Sequence, residues 1–437
     1  MCFQTATARS LKPILLALVL ALPIATLAIG DAVATTPAKS SRKVRPPAVP
    51  VVVPPRVDND AVMKDPAPLA VEFEHWLTQL ADSGKVSGLA AAIVKDDTVL
   101  LERGIGYADW QRREAVTADT VFRLASLSKA FATTLAGMLV NDGRLTWDSR
   151  VDELLPTFTL ADTESARKLT VRDILSHRVG LPNNTYDRLI EQDEPYPLLV
   201  ERLREVPMTC AVGACYGYQN IAFSLIGDIT YATTGDFFHH LVEKRVFHPL
   251  GMTSATYGRD ALEGSASWAR PHRRAGKGWQ SFQPNERYYR MPPAAGANAS
   301  VRDMRRWLVA QMGWRPDVLA PALLEATHAS LVQTPQERTS TPWRRERLLD
   351  AGYALGWRVY DYAGEPMVFH AGAVQGYRAL IAFLPDRGLG LVMLWNCESA
   401  APYGLMPMLF DRYLGLPRVN WAGVGDASDE SAATGSD

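Results

Sequence analysis

The hydrophobic pattern starts in earnest at Leu69. Leu69, Phe73, Trp76, Leu77 and Leu80 recur at helical spacing, which predicts an amphipathic helix ending near Ser83-Gly84. Leu89 to Val94 and Val99 to Ile105 read as two strands around the turn Lys95-Asp96-Asp97. Ala130 to Val140 is apolar around most of its circumference, so a buried helix is expected there, closed by Asn141-Asp142-Gly143. A short helix follows at Val171 to Leu175, with Gly180 and Pro182 as stop signals. Asn183 to Pro207 is polar and irregular, with an amphipathic piece at Leu198 to Leu203. A second buried helix starts after Asn220 and ends at Gly235. Further helices are expected at Phe237 to Val246 and Val301 to Met312, and Ser265 to Pro293 reads as a long loop.

Strand character returns at Tyr353 to Tyr360, Met367 to His370, Tyr377 to Leu384 and Leu389 to Trp395. Met406 to Leu414 is a closing helix. Strands at both ends around a helical middle predict an α+β fold: an antiparallel sheet built from both chain ends, flanking helices and an inserted all-helical region. The cleft between sheet and insert is the expected site. No internal repeat is visible.

The flanks have a different composition. Arg9 and Lys12 precede an apolar run from Ile14 to Ile29, and Ala32-Val33-Ala34 is a small-residue cleavage site. Residues 1–34 therefore read as an export signal, which makes the mature protein periplasmic. If uncleaved, the segment is a membrane anchor, although the run is short for a span of about 20 residues. Residues 35–68 hold eight of the 29 prolines and read as an extended linker. The folded domain is expected over 69–418 and a disordered tail over 419–437, acidic and small-residue-rich from Asp426. Export permits disulfides. Cys2 leaves with the signal, Cys397 is remote, and Cys210 and Cys215 bracket a short loop that a bridge would close. A reduced pair is the alternative, because short loops often miss disulfide geometry.

Charge narrows the function. With 46 basic and 47 acidic residues the net charge is −1, and there is no basic stripe for a nucleic acid. The eight histidines lack metal-motif spacing, and no cofactor is implied. Ser-x-x-Lys occurs three times, at Ser40-Lys43, Ser165-Lys168 and Ser126-Lys129. The first lies in the linker and the second on a polar, solvated segment. The third opens the buried helix, where i and i+3 share a face and lysine is rare without a partner or a task. A helix N-terminus also disfavours lysine protonation. Ser126 is then a nucleophile beside a candidate base. No Gly-x-Ser-x-Gly elbow is present, and nothing specifies a serine-histidine-acid triad. His177, at a helix end, reads as a carbonyl cap rather than a base.

Three motifs in order resemble the serine β-lactamase and penicillin-binding group, on its class C β-lactamase, D,D-carboxypeptidase and esterase side. They are Ser126-Leu127-Ser128-Lys129, Tyr218-Gln219-Asn220 and His370-Ala371-Gly372. Leu175-Ser176-His177, Gly180-Leu181-Pro182, Pro249-Leu250-Gly251-Met252 and Gly376-Tyr377 look like the family too, and the likeness spans Leu69 to Leu414. The resemblance implies a β-lactamase/transpeptidase-like fold and an acyl-enzyme on Ser126. Lys129 and Tyr218 would share proton transfer, either one as base. Asn220 would bind the substrate amide or the lysine, and His370 would line the opposite wall. The N–H groups of Ser126 and Ala373, beside Gly372, would form the oxyanion hole.

Two positions depart from the family pattern. His370 stands where dedicated β-lactamases of this kind carry lysine, and the histidine is similar to D,D-peptidases, D-amino-acid peptidases and esterases. Gln219 replaces a small residue and either narrows the cleft or points outward. The implied protein is an exported serine hydrolase acting on a small-molecule or peptide substrate, such as an ester, a peptidoglycan-derived D-Ala peptide or a β-lactam. The alternative from another class is a penicillin-binding sensor that acylates with little turnover. A metal-dependent hydrolase is the third reading and has no motif behind it.

Overall fold

The structure, a computed structural model, describes residues 53–425. The expected signal segment, Cys2, Ser40-Lys43, most of the linker and the tail from Asp426 lie outside the described residues. The core is a nine-stranded antiparallel sheet. Its strands are β1 (Gly88–Lys95), β2 (Thr98–Asp109), β3 (Glu114–Ala115), β4 (Val332–Gln333), β5 (Leu348–Tyr353), β6 (Arg358–Tyr362), β7 (Glu365–Val374), β8 (Tyr377–Leu384) and β9 (Leu389–Trp395). They are ordered β3-β2-β1-β9-β8-β7-β6-β5-β4. The first strand of the chain thus pairs with the last, Leu89 opposite Trp395, and the sheet is built from both ends.

Both faces of the sheet are covered. In β1, Ala90, Ala92 and Val94 pack into one core and Leu89, Ala91 and Ile93 into the other, the period-two alternation of a central strand. On one face lie α1 (Ala67–Asp82) and α5 (Leu405–Leu414), through Phe73, Leu77, Leu80, Leu405 and Leu409. On the other lie α2 (Ser128–Asn141), α3 (Asn220–Thr234) and α4 (Val301–Val309), through Phe131, Leu135, Ile226 and Trp307. Leu135 is fully buried, and Leu135→Ala would cost about 2–5 kcal/mol. Among the described residues no helix is long and apolar enough to cross a membrane.

Several expectations change. The segment read as one strand from Tyr353 to Tyr360 is two strands, because Gly356 turns the chain at φ +72°. A Cβ at Gly356 would sit 2.9 Å from the Lys129 carbonyl oxygen, so the turn closes directly on α2. The inserted middle is not all helical. Val121–Arg123, Ala297–Ser300 and Thr256–Tyr257 form a three-stranded sheet. Ser265 to Pro293, expected as a loop, holds the hairpin His272–Ala275/Gly278–Ser281 and a turn of helix at Arg287–Arg290. The ordered part also exceeds 69–418: Asp60–Lys64 is helical, Arg56 pairs with Glu365 at 2.7 Å, and the Trp421 indole donates to Asp411 at 2.9 Å. Cys210 and Cys215 are bridged, and Cys397 is free and buried.

Candidate active site

Ser126 sits in a short 3-10 turn, Ala125–Leu127, between the strand Val121–Arg123 and α2. Ala125 has φ +51°, a left-handed conformation that a non-glycine residue holds only when its surroundings over-determine it. The Ser128 hydroxyl supplies part of that restraint. It donates to the Ala125 carbonyl at 2.6 Å and accepts the Ala297 N–H at 3.0 Å. Within Val121–Ala130 only Ser126 is not fully buried. The turn therefore offers one hydroxyl to the cleft.

Lys129 is wholly buried in the first turn of α2. Its Nζ lies 3.4 Å from Ser126 Oγ and donates to Asn220 Oδ1 at 2.7 Å and the Ala294 carbonyl at 3.0 Å. Burial pushes its pKa down to about 7; the Asp187 carboxylate opposes this and the Arg358 guanidinium adds to it. At neutral pH a large share of Lys129 is therefore the free amine. The Tyr218 hydroxyl donates to Ser126 Oγ at 3.0 Å. Burial raises its pKa to about 12, partly offset by the Ser126 bond, so it is a neutral phenol. The Lys129 Nζ also stands 4.8 Å from the Tyr218 ring centre.

The second motif is fastened at each residue. The Tyr218 N–H donates to Asn183 Oδ1 at 2.7 Å. Gln219 neither narrows the cleft nor points outward: it is buried and donates to the Pro182 carbonyl and to Thr185 Oγ1. Asn220 bridges Lys129 to Asp187, donating to Asp187 Oδ2 at 2.8 Å. The third motif crosses the nucleophile turn. A Cβ at Gly372 would fall 2.3 Å from the Leu124 oxygen and 3.2 Å from the Ser126 nitrogen, so only glycine lets β7 pass this close. Ala373, next along, is exposed, and a cavity of about 370 Å³ opens beside it, lined by Asn285, Tyr288, Gln375 and Arg378 among others. A larger cavity of about 570 Å³ lies elsewhere, around Phe158 and Tyr196.

The structure thus gathers Ser126, Lys129, Tyr218 and Asn220 into one hydrogen-bonded cluster, with Gly372 against its turn. His370 departs from expectation. It is 1 % exposed and bonded to the Tyr353 hydroxyl rather than lining the open wall. His177 is not a carbonyl cap either; its Nδ1 accepts the Gln219 N–H at 3.1 Å. Sequence reasoning did not single out Asp187, Ala294, Tyr353, Arg358 or the role of Ser128. Ser128 was visible as the second serine of its motif, whereas the Ala294 contribution is a backbone carbonyl and leaves no side-chain signal. Among the described residues no group of three or more His, Cys, Asp or Glu could hold a metal ion.

Comparison with known proteins places this geometry. A model of the Beta-lactamase family matches residues 73–407. The chain is 26% identical over 371 residues to "Unguisins hydrolase ungD'" of Aspergillus campestris, covering 81% of this chain and 68% of that one. It is 27% identical over 348 residues to "Penicillin-binding protein 4" of Amycolatopsis lactamdurans, covering 76% and 87%. Among solved structures, the octameric penicillin-binding protein homologue from Pyrococcus abyssi is similar at TM-score 0.67 and 21% identity, over 79% of each chain. A D-stereospecific amidohydrolase from Streptomyces sp. is similar at TM-score 0.63 and 19% identity, over 78% of this chain and 98% of that one. These two likenesses show the β-lactamase/transpeptidase-like fold. By the family match over most of its length, the chain belongs to the beta-lactamase family.

Proposed function

We propose that the protein is a serine hydrolase that works through an acyl-enzyme on Ser126, with an ester, amide or peptide as substrate. The observation that carries this is the pairing of a half-buried serine with a wholly buried lysine whose pKa is brought to about 7. Tyr218 donates to Ser126 Oγ, which leaves the serine proton free to point at the Lys129 amine. Lys129 takes that proton as Oγ attacks the carbonyl carbon. The negative charge on the carbonyl oxygen is received by the N–H groups of Ser126 and Ala373. The protonated lysine and the Tyr218 phenol then return a proton to the leaving group. Water, activated by the same pair, releases the acid and restores Ser126.

A D-Ala peptide carboxypeptidase or esterase fits better than a β-lactamase. The third motif carries His370 where dedicated β-lactamases of this kind carry lysine, and a histidine there is similar to D,D-peptidases, D-amino-acid peptidases and esterases. The N-terminal pattern at Arg9, Lys12 and Ala32-Val33-Ala34 supports export to the periplasm as part of this reading. The test is turnover of a p-nitrophenyl ester, a D-Ala-D-Ala peptide and nitrocefin by the full chain and by Ser126→Ala. Ser126-dependent hydrolysis of the ester or the peptide, with nitrocefin slower, is expected. Equal rates for the two proteins would overturn the mechanism. Acylation without turnover of any of the three would convert the reading to a penicillin-binding sensor.

A further inference from the structure

Behind Tyr218 three side chains from distant parts of the chain are joined in series. His177 Nε2 lies 3.2 Å from the Tyr353 hydroxyl, and that hydroxyl lies 3.1 Å from His370 Nε2. The outer ends of the series are fixed by backbone groups that have only one role. The Gln219 N–H can only donate, so His177 Nδ1 accepts, at 3.1 Å. The Ala371 carbonyl can only accept, so His370 Nδ1 donates, at 2.9 Å. A neutral imidazole has one donor and one acceptor nitrogen. His177 then donates from Nε2 to the Tyr353 oxygen, and the Tyr353 O–H donates to His370 Nε2. Every proton in the series has one direction.

We propose that His177, Tyr353 and His370 form a charge-neutral, proton-directed bridge that holds the Tyr218–Asn220 segment at a set distance from β7. In this role His370 is a positioning residue, not a receptor for a substrate anion. The geometry around the bridge agrees. All three side chains are buried to within 1 %. The His177 ring lies 4.2 Å from the Tyr218 ring, so a shift of His177 moves the phenol that bonds Ser126. His177 is itself held in a left-handed conformation at φ +58°, and its carbonyl accepts the Gly217 N–H at 2.9 Å. The groups facing the series are Lys129, Arg358, Tyr216, Tyr218 and Tyr360. Burial first, then the nearby cations, holds both imidazoles well below the usual histidine range, so the bridge stays neutral while Lys129 titrates.

The proposal rests on Ser126 being the reacting centre only for its activity arm. The first arm reads no catalysis: nitrogen-15 NMR of the imidazoles in the full chain, assigned with His177→Gln and His370→Gln. The expected result is His177 protonated at Nε2 and His370 at Nδ1, both still neutral when the pH is lowered through the ordinary histidine value. The opposite tautomer at either ring, or protonation near the ordinary histidine value, would overturn the bridge. The second arm is His370→Lys. An ammonium there points a donor at Tyr353, whose other neighbour, His177 Nε2, is also a donor. We expect kcat to fall on a neutral ester and a carboxylate-bearing D-Ala peptide alike, by roughly 10–100-fold, with KM nearly unchanged. A selective gain for the carboxylate-bearing peptide would show that His370 faces the substrate and would refute the positioning role. If His370→Lys fails to fold, the wild-type NMR result decides.

Discussion

Ser126-Lys129 and Ser165-Lys168 share a spacing and almost nothing else. Both serines stand one helical turn before their lysine. Ser165 is buried, but its hydroxyl is spent on the side chain of the residue that caps its own helix, donating to Asp162 at 2.6 Å. Lys168 is 74% exposed and lies 4.0 Å from Glu164, a surface contact worth little. Lys129 is wholly buried and lies 3.4 Å from its serine. Moving its pKa from 10.5 to about 7 corresponds to roughly 5 kcal/mol of disfavour for the charged form. The burial of α2, not the Ser-x-x-Lys pattern, is what lowers the lysine pKa.

The sharpest way to break this contrast is to remove each serine. Ser126→Ala should lower kcat on any ester or peptide substrate by at least about 10⁴-fold, while Ser165→Ala leaves turnover unchanged. Steady-state kinetics on both variants checks this. Exchanging the lysines comes next. Lys129→Met should cost about 10²–10⁴-fold in the acylation rate, read by pre-steady-state kinetics, and Lys168→Met nothing. Comparable losses at the two lysines would end the distinction between the sites.

A smaller effect should come from Asp187, whose charge raises the Lys129 pKa and whose carboxylate accepts from Asn220. Asp187→Asn keeps an acceptor oxygen for Asn220 but removes the charge. The midpoint of the pH–rate profile should therefore move to lower pH, by less than about one unit. An upward shift would contradict the sign of that interaction.

Much of this architecture was legible because hydrophobic period and burial coincide. The hairpin of β1 and β2, the buried helices α2 and α3 and the closing strands all follow that rule. The failures have particular causes. The strand break at Gly356 was hidden by apolar neighbours on both sides, which make the run look continuous. The hairpin at His272–Ala275/Gly278–Ser281 is short and mostly exposed on its first strand, so it carries no clear alternation. Asp187 lies in a polar, irregular stretch where an aspartate attracts no notice. His370 is expected on the cleft wall and Gln219 either narrowing the cleft or pointing outward, because the chain alone cannot say which side of a motif points inward. Both are buried behind it, and the reason is tertiary: Pro182, Thr185 and Tyr353 supply the partners.

The most direct measurement of the central claim is the rate at which a fluorophosphonate modifies Ser126 as a function of pH. The adduct would be located by peptide mass spectrometry. In the proposed mechanism the free amine of Lys129 takes the serine proton, so the rate should rise with pH and level off with a midpoint at about 7. No adduct should form on Ser165. A midpoint near the ordinary lysine value, or an adduct that survives in Ser126→Ala, would contradict the account.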